Sequence, residues 1–178
     1  MYQLSDDEQR LLRELAFGPN PSDVDGVFTE SLGIGDSREE SAERIAAQVL
    51  FCLSLDPPDG AIWMITTTTT HLVLDMPLHL ATRECLLNAW LQAFRKNPDR
   101  YYTEFKDFVT LWPTSHSAPL LRTLIQQTTS FEPLTIMLLG DAADVYKSAS
   151  LAEALSTPNL SREAVLRELD LIVQSARE

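Results

Sequence analysis

The chain has 178 residues, 44% of them hydrophobic and 22% charged, which is ordinary usage for one globular domain with its own core and excludes wholesale disorder. Its formal net charge is −12, a field that repels phosphate backbones and anionic lipid and so disfavours nucleic-acid or membrane-surface binding. The charge is uneven: residues 1–60 carry 13 acidic and 4 basic side chains, for −9, against +1 over residues 61–130 and −4 over residues 131–178. Such a surface suits solvent, or a basic protein partner.

The first helix starts at Ser5-Asp6-Asp7-Glu8, a capping-box pattern, and Leu11, Leu12, Leu15 and Ala16 follow at helical spacing until Gly18-Pro19 stops it. Residues 18–36, with four glycines and two prolines, read as a long acidic loop with a short helical turn near Val27. A second helix begins at Ser37 and carries Ala42, Ile45, Ala46, Val49, Leu50 and Leu53 on one stripe. Asp56-Pro57-Pro58-Asp59-Gly60 then breaks it and is the candidate subdomain boundary within an otherwise single domain of residues 1–178.

Residues 61–76 include five consecutive threonines, whose β-branched side chains favour an extended segment or short hairpin, with a buried helix as the alternative. Pro77 opens the next helix, whose broad apolar face holds Leu80, Leu86, Leu87, Trp90, Leu91 and Phe94. A helix from about Asp99 to Leu111 places Tyr101, Tyr102, Phe105, Phe108 and Val109 inward. Shorter helices follow at about 118–128 and 141–156, with residues 134–139 between them as strand or buried helix. Ser161 caps a last helix with the stripe Val165, Leu166, Leu169, Ile172 and Val173. The fold class is therefore mainly α: an irregular multi-helix bundle, or a short helical-repeat-like domain, with an extended segment near 61–76.

Chemistry is sparse. His71, Asp75 and His79 follow i, i+4, i+8 spacing and are the weak candidates for a metal site, although Pro77 interrupts the register that would converge them. Glu84 and Cys85 complete the residues to watch in a small enzyme or a small-ligand protein. Cys52 and Cys85 both read as small buried hydrophobes, and burial raises a thiol pKa. Ser115-His116-Ser117 places a serine beside a histidine without the rest of a triad.

The segment from Ile136 to Asp144 resembles the Gly-Asp segment of flavin-dependent hydroxylases over nine residues. Those enzymes also carry a Gly-x-Gly-x-x-Gly after an N-terminal strand, whereas Gly33-Ile34-Gly35 has two glycines in an acidic loop. Gly140-Asp141 is accordingly read as a turn and helix N-cap, and no cofactor is expected.

Arg95, Lys96, Arg100, Tyr101 and, further along, Trp112 combine cations with aromatics, the residue types enriched at binding hot spots. The expectation is a cytoplasmic or nuclear helical adaptor, scaffold or assembly subunit that binds a protein partner through these residues. It has no apolar run of membrane-spanning length and leaves homo-oligomerisation open.

Overall fold

Ser5 sets the first element. Its hydroxyl accepts the Glu8 amide and the Glu8 carboxylate accepts the Ser5 amide at 2.8 Å, so α1 (Asp6–Ala16) starts on a complete capping box. The structure, a computed structural model, describes residues 2–31 and 37–176. Of these, 79% are helical, in ten α-helices and one 3-10 turn, and none lies in a strand. The mainly-α expectation holds. The chain divides into two compact units, Met1–Ala93 and Phe94–Glu178.

In the first unit, residues 18–31 of the acidic stretch after α1 are more regular than their glycines and prolines suggest. A 3-10 turn (Pro21–Asp23) leads into α2 (Val24–Ser31), which buries Val24 and Phe28, while Gly33, Ile34, Gly35 and the rest of residues 32–36 lie outside the described residues. Ser37 accepts the Glu40 amide and starts α3 (Arg38–Ser54). This helix packs against α1, against α2 and against α4 (Asp59–Asp75), burying Ala42, Ile45, Ala46, Val49, Cys52 and Leu53. The same helix also buries Gln48, whose side-chain amide donates to Ser31 of α2 at 2.9 Å.

Helix α4 overturns the extended reading of residues 61–76. Thr66 and Thr69 each donate a hydroxyl to the carbonyl four residues back, Ile62 and Ile65, at 2.7 Å, and Thr67 does the same to Trp63 at 3.1 Å. The β-branch therefore finds partners inside the helix, and burial of Ala61, Ile62, Ile65, Leu72 and Val73 outweighs the weak intrinsic preference for extended backbone. The following helix, α5 (Leu80–Lys96), begins three residues after Pro77 rather than at it. Its start is fixed from outside: the Glu43 carboxylate on α3 accepts the His79 amide at 3.1 Å and the Thr82 hydroxyl at 2.7 Å. Leu80 is 70% exposed and leaves the apolar face, while Leu86, Trp90 and Leu91 keep it. The Trp90 indole N–H donates to Thr69 at 2.9 Å.

The second unit contains the end of α5 and five further helices. Asn97 accepts the Arg100 amide, Pro98 takes the first helical position, and α6 (Pro98–Leu111) follows. Its inner face is aromatic: Phe105 lies 4.7 Å from Phe94 and 6.0 Å from Phe108, and Phe108 lies 4.5 Å from Trp112. Helix α7 (Thr114–Gln127) accommodates Pro119 internally. It packs on α10 (Arg162–Ser175) through two apolar faces, Leu120, Leu121, Leu124 and Ile125 on one and Val165, Leu169 and Val173 on the other.

Helix α8 (Pro133–Val145) runs through Gly140-Asp141, so these residues are neither a turn nor an N-cap. Thr135, Leu138, Leu139, Ala142 and Ala143 are all buried, and only an unbroken helix puts them on one stripe. The break comes later, at Lys147, whose φ of 52° is left-handed, and α9 (Ala149–Leu155) starts beyond it. No helix among the described residues is long and apolar enough to cross a membrane.

Candidate functional site

The histidine series separates. His71 and Asp75 lie one turn apart on the exposed side of α4, Nδ1 to Oδ2 at 3.1 Å, but His79 turns to Glu39 of α3, Nε2 to Oε1 at 3.2 Å. Among the described residues no group of three or more His, Cys, Asp or Glu side chains comes together as metal ligands would. Cys52 is buried, and burial pushes its thiol pKa up to about 12. Cys85, expected inside, is exposed beside exposed Glu84, because the α5 core stripe follows Thr82, Leu86, Trp90 and Leu91.

Ser115 and His116 touch each other at the start of α7, Oγ to Nδ1 at 3.1 Å. Ser117 is buried and serves the fold, donating to the Pro113 carbonyl and accepting from the Tyr146 hydroxyl at 3.0 Å. Asp141 of α8 binds the α6 side chains: the Tyr102 hydroxyl donates to its Oδ2 at 3.1 Å and Lys106 Nζ lies 3.2 Å from the same oxygen. Burial, then this bond to a carboxylate, raises the Tyr102 pKa.

The residues expected at a partner surface also divide. Tyr101 and Trp112 are 2% and 3% exposed and belong to the second unit's core, where the α6 stripe puts them. Arg100 lies half-buried, its guanidinium 5.8 Å from the centre of the Tyr101 ring. Arg95 and Lys96, at the end of α5, are exposed.

Arg95 borders a feature that the sequence alone hides. The loop between α7 and α8 carries Thr128, Thr129 and Ser130, and these three residues wall two cavities at once. The smaller, about 170 Å³, is completed by side chains that include Phe94, Arg95, Leu124 and Glu132. The larger, about 490 Å³, is completed by Phe131, Leu160, Arg162 and Glu163. Together they form a polar cleft in the second unit with an arginine on either part.

Each of these guanidinium groups bonds a neutral oxygen: Arg95 donates to Gln127 Oε1 at 3.3 Å, and Arg162 donates to the Thr128 carbonyl at 3.1 Å. Among the described residues neither sits in a carboxylate ion pair, in contrast to Arg44 with Glu8 and Arg122 with Asp170. The two carboxylates in the walls are turned to local hydroxyls, Glu132 to Ser130 at 3.4 Å and Glu163 to Ser161 at 3.0 Å. The Glu163 amide, the Ser161 hydroxyl and the attraction of the Arg162 charge hold its carboxyl below the usual range, against a smaller opposing effect of burial. The Thr128 hydroxyl is engaged with the Leu124 carbonyl at 2.7 Å, which fixes the loop's first residue against α7.

Sequence reasoning reached Arg95 through its composition but missed Arg162 and residues 128–130. The hydroxyl run itself was the available signal, whereas the partnership with Arg162 depends on the docking of α10 against α7. No family model matches the chain, and no curated protein and no solved structure matches it.

Proposed function

We propose that the chain is a helical protein-interaction domain, an adaptor or assembly subunit, whose contact surface is the cleft around residues 128–130 of the second unit. One observation carries this reading: two adjoining cavities share a hydroxyl-bearing loop, and each is walled by an arginine bonded only to a neutral oxygen. Arginine presents five N–H donors in a planar fork, so a single bond to a neutral oxygen leaves most of its recognition capacity for a ligand. Helical scaffolds host many activities, so the argument rests on this site and not on the architecture.

The test is affinity capture from an extract of the source organism, comparing the wild-type chain with the R95Q/R162Q double variant. A stoichiometric protein retained by the first and lost by the second supports the reading. A partner retained equally by both, or a well-folded protein that returns alone, overturns it.

A further inference from the structure

We infer that the chain self-associates, with α8 crossing the α8 of a second copy antiparallel at Gly140. The inference does not depend on the cleft reading. Helix α8 buries Thr135, Leu138, Leu139, Ala142 and Ala143 in the second unit, where it packs on α6 and α9. Its outward side is apolar as well. Ile136 is 39% and Met137 55% exposed, and Pro133 is exposed beside them. At 100° per residue these three surround Gly140, which sits in the middle of the outward stripe. Single exposed apolar residues are ordinary, but a contiguous group along one helix marks a contact face.

Gly140 is the centre of that face, and the fold itself does not require it. A glycine inside a helix costs about 1 kcal/mol relative to alanine. A Cβ at this position would meet nothing within 4 Å, and the backbone is helical. A second helix lying across it gives the glycine a use, because a missing side chain lets two backbones approach closely.

The charges on the stripe decide the occupant. Glu132 precedes α8 and Lys147 follows it, both exposed and at nearly equal distances along the chain from Gly140. In an antiparallel crossing centred on Gly140, Glu132 of each copy falls beside Lys147 of the other, so the pair forms twice. A parallel crossing would set like charges together. Asp144 suits the same arrangement. It lies opposite Ile136 of the second copy, in the first turn of a helix whose N-cap makes no side-chain hydrogen bond. A carboxylate there meets the positive end of the helix dipole. The stripe is thus complementary to itself, as a two-fold interface demands.

The net charge of −12 opposes association, but little of it lies in this unit. Residues 94–178 carry 11 acidic and 9 basic side chains, for −2. One helix face is smaller than the about 800 Å² per partner of a standard interface, so the dimer is weak, with a dissociation constant on the order of 100 μM.

The experiment is sedimentation equilibrium of the full chain between about 10 and 500 μM. The mean mass should rise from 20.0 kDa towards twice that value. A two-fold axis counts every substitution twice, so Met137→Glu and Glu132→Lys should each weaken association about tenfold. Glu132→Lys combined with Lys147→Glu should restore it to within about threefold of wild type. A wild-type chain still monomeric at about 500 μM overturns the inference and needs no variant to fold. So does a dimer that Met137→Glu leaves unchanged, or one that the paired reversal fails to restore, with circular dichroism as the folding check. Cross-linking tests the centre. Facing Cα atoms of two crossing helices come within about 5 Å, inside the span of a disulfide. In a Cys85→Ser background, Gly140→Cys should therefore oxidise to a covalent dimer, whereas Leu111→Cys, at another exposed position of the second unit, should not. Equal cross-linking of the two overturns the crossing.

Discussion

Residues 66–70 and residues 128–130 are the two longest uninterrupted runs of serine and threonine in the chain, and they differ in what their hydroxyls bond. In α4 hydroxyls bond back along their own helix, on its buried face at Thr66 and Thr69 and on its exposed face at Thr67. Thr66, Thr67 and Thr69 bond carbonyls four residues back, and the Thr69 oxygen also accepts from the Trp90 indole. In the α7–α8 loop only Thr128 is drawn into a helix, by the Leu124 carbonyl, while Ser130 donates to Glu132 and Thr129 is exposed in the cleft wall. The difference lies in what surrounds each run. Inside a helix an acceptor carbonyl is always one turn away, and apolar neighbours exclude the water that would compete for it. Beyond the last turn of α7 no such ladder exists, and the hydroxyls meet the loop's own side chains or solvent instead.

Mutations can break this contrast. The largest effect is expected from Trp90→Ala, which empties a fully buried site and removes the donor to Thr69; it should cost about 3–5 kcal/mol in urea-monitored unfolding. Thr69→Val keeps the volume but removes the acceptor of the indole N–H, and a loss of about 1–3 kcal/mol would establish the α4 run as structural. A neutral result there would erase the distinction. Ser161→Ala removes the hydroxyl that accepts the Ala164 amide at the start of α10, with an expected loss of about 1 kcal/mol. Thr129→Ala should change stability by less than about 0.5 kcal/mol, because this exposed side chain supports no helix. A large stability loss from Thr129→Ala would make the loop a structural element like α4.

Helix starts were the most legible part of the fold, because a cap is a local event. Ser5, Ser37 and Ser161, each a starting residue by sequence, all accept an amide from the first turn. Stripes such as Ala42 to Leu53 were legible for the same reason. Residues 61–76 were not, since intrinsic preference and burial pull in opposite directions there and only tertiary packing decides. Gly140-Asp141 failed similarly: a dipeptide typical of turns is overridden by a stripe running from Thr135 to Ala143.

The site was half legible. Arg95 and Lys96 end a helix where cations belong, but the neighbouring aromatics Tyr101 and Trp112 follow the core periodicity of α6 and are lost to any surface. Arg162 stands 34 residues from the Thr128 carbonyl that it bonds, and no local pattern signals such a contact.

The borrowed cap on α5 has a bearing on how the first unit assembles. A helix with its own serine or aspartate can hold its first turn before anything packs on it, whereas His79 and Thr82 depend on a carboxylate 36 and 39 residues earlier in the chain. Closing that loop has an entropic cost that must be met before the turn gains anything. The first turn of α5 is therefore expected to form late in folding, to fray in an excised peptide, and to protect the His79 amide from hydrogen exchange only once α3 has packed.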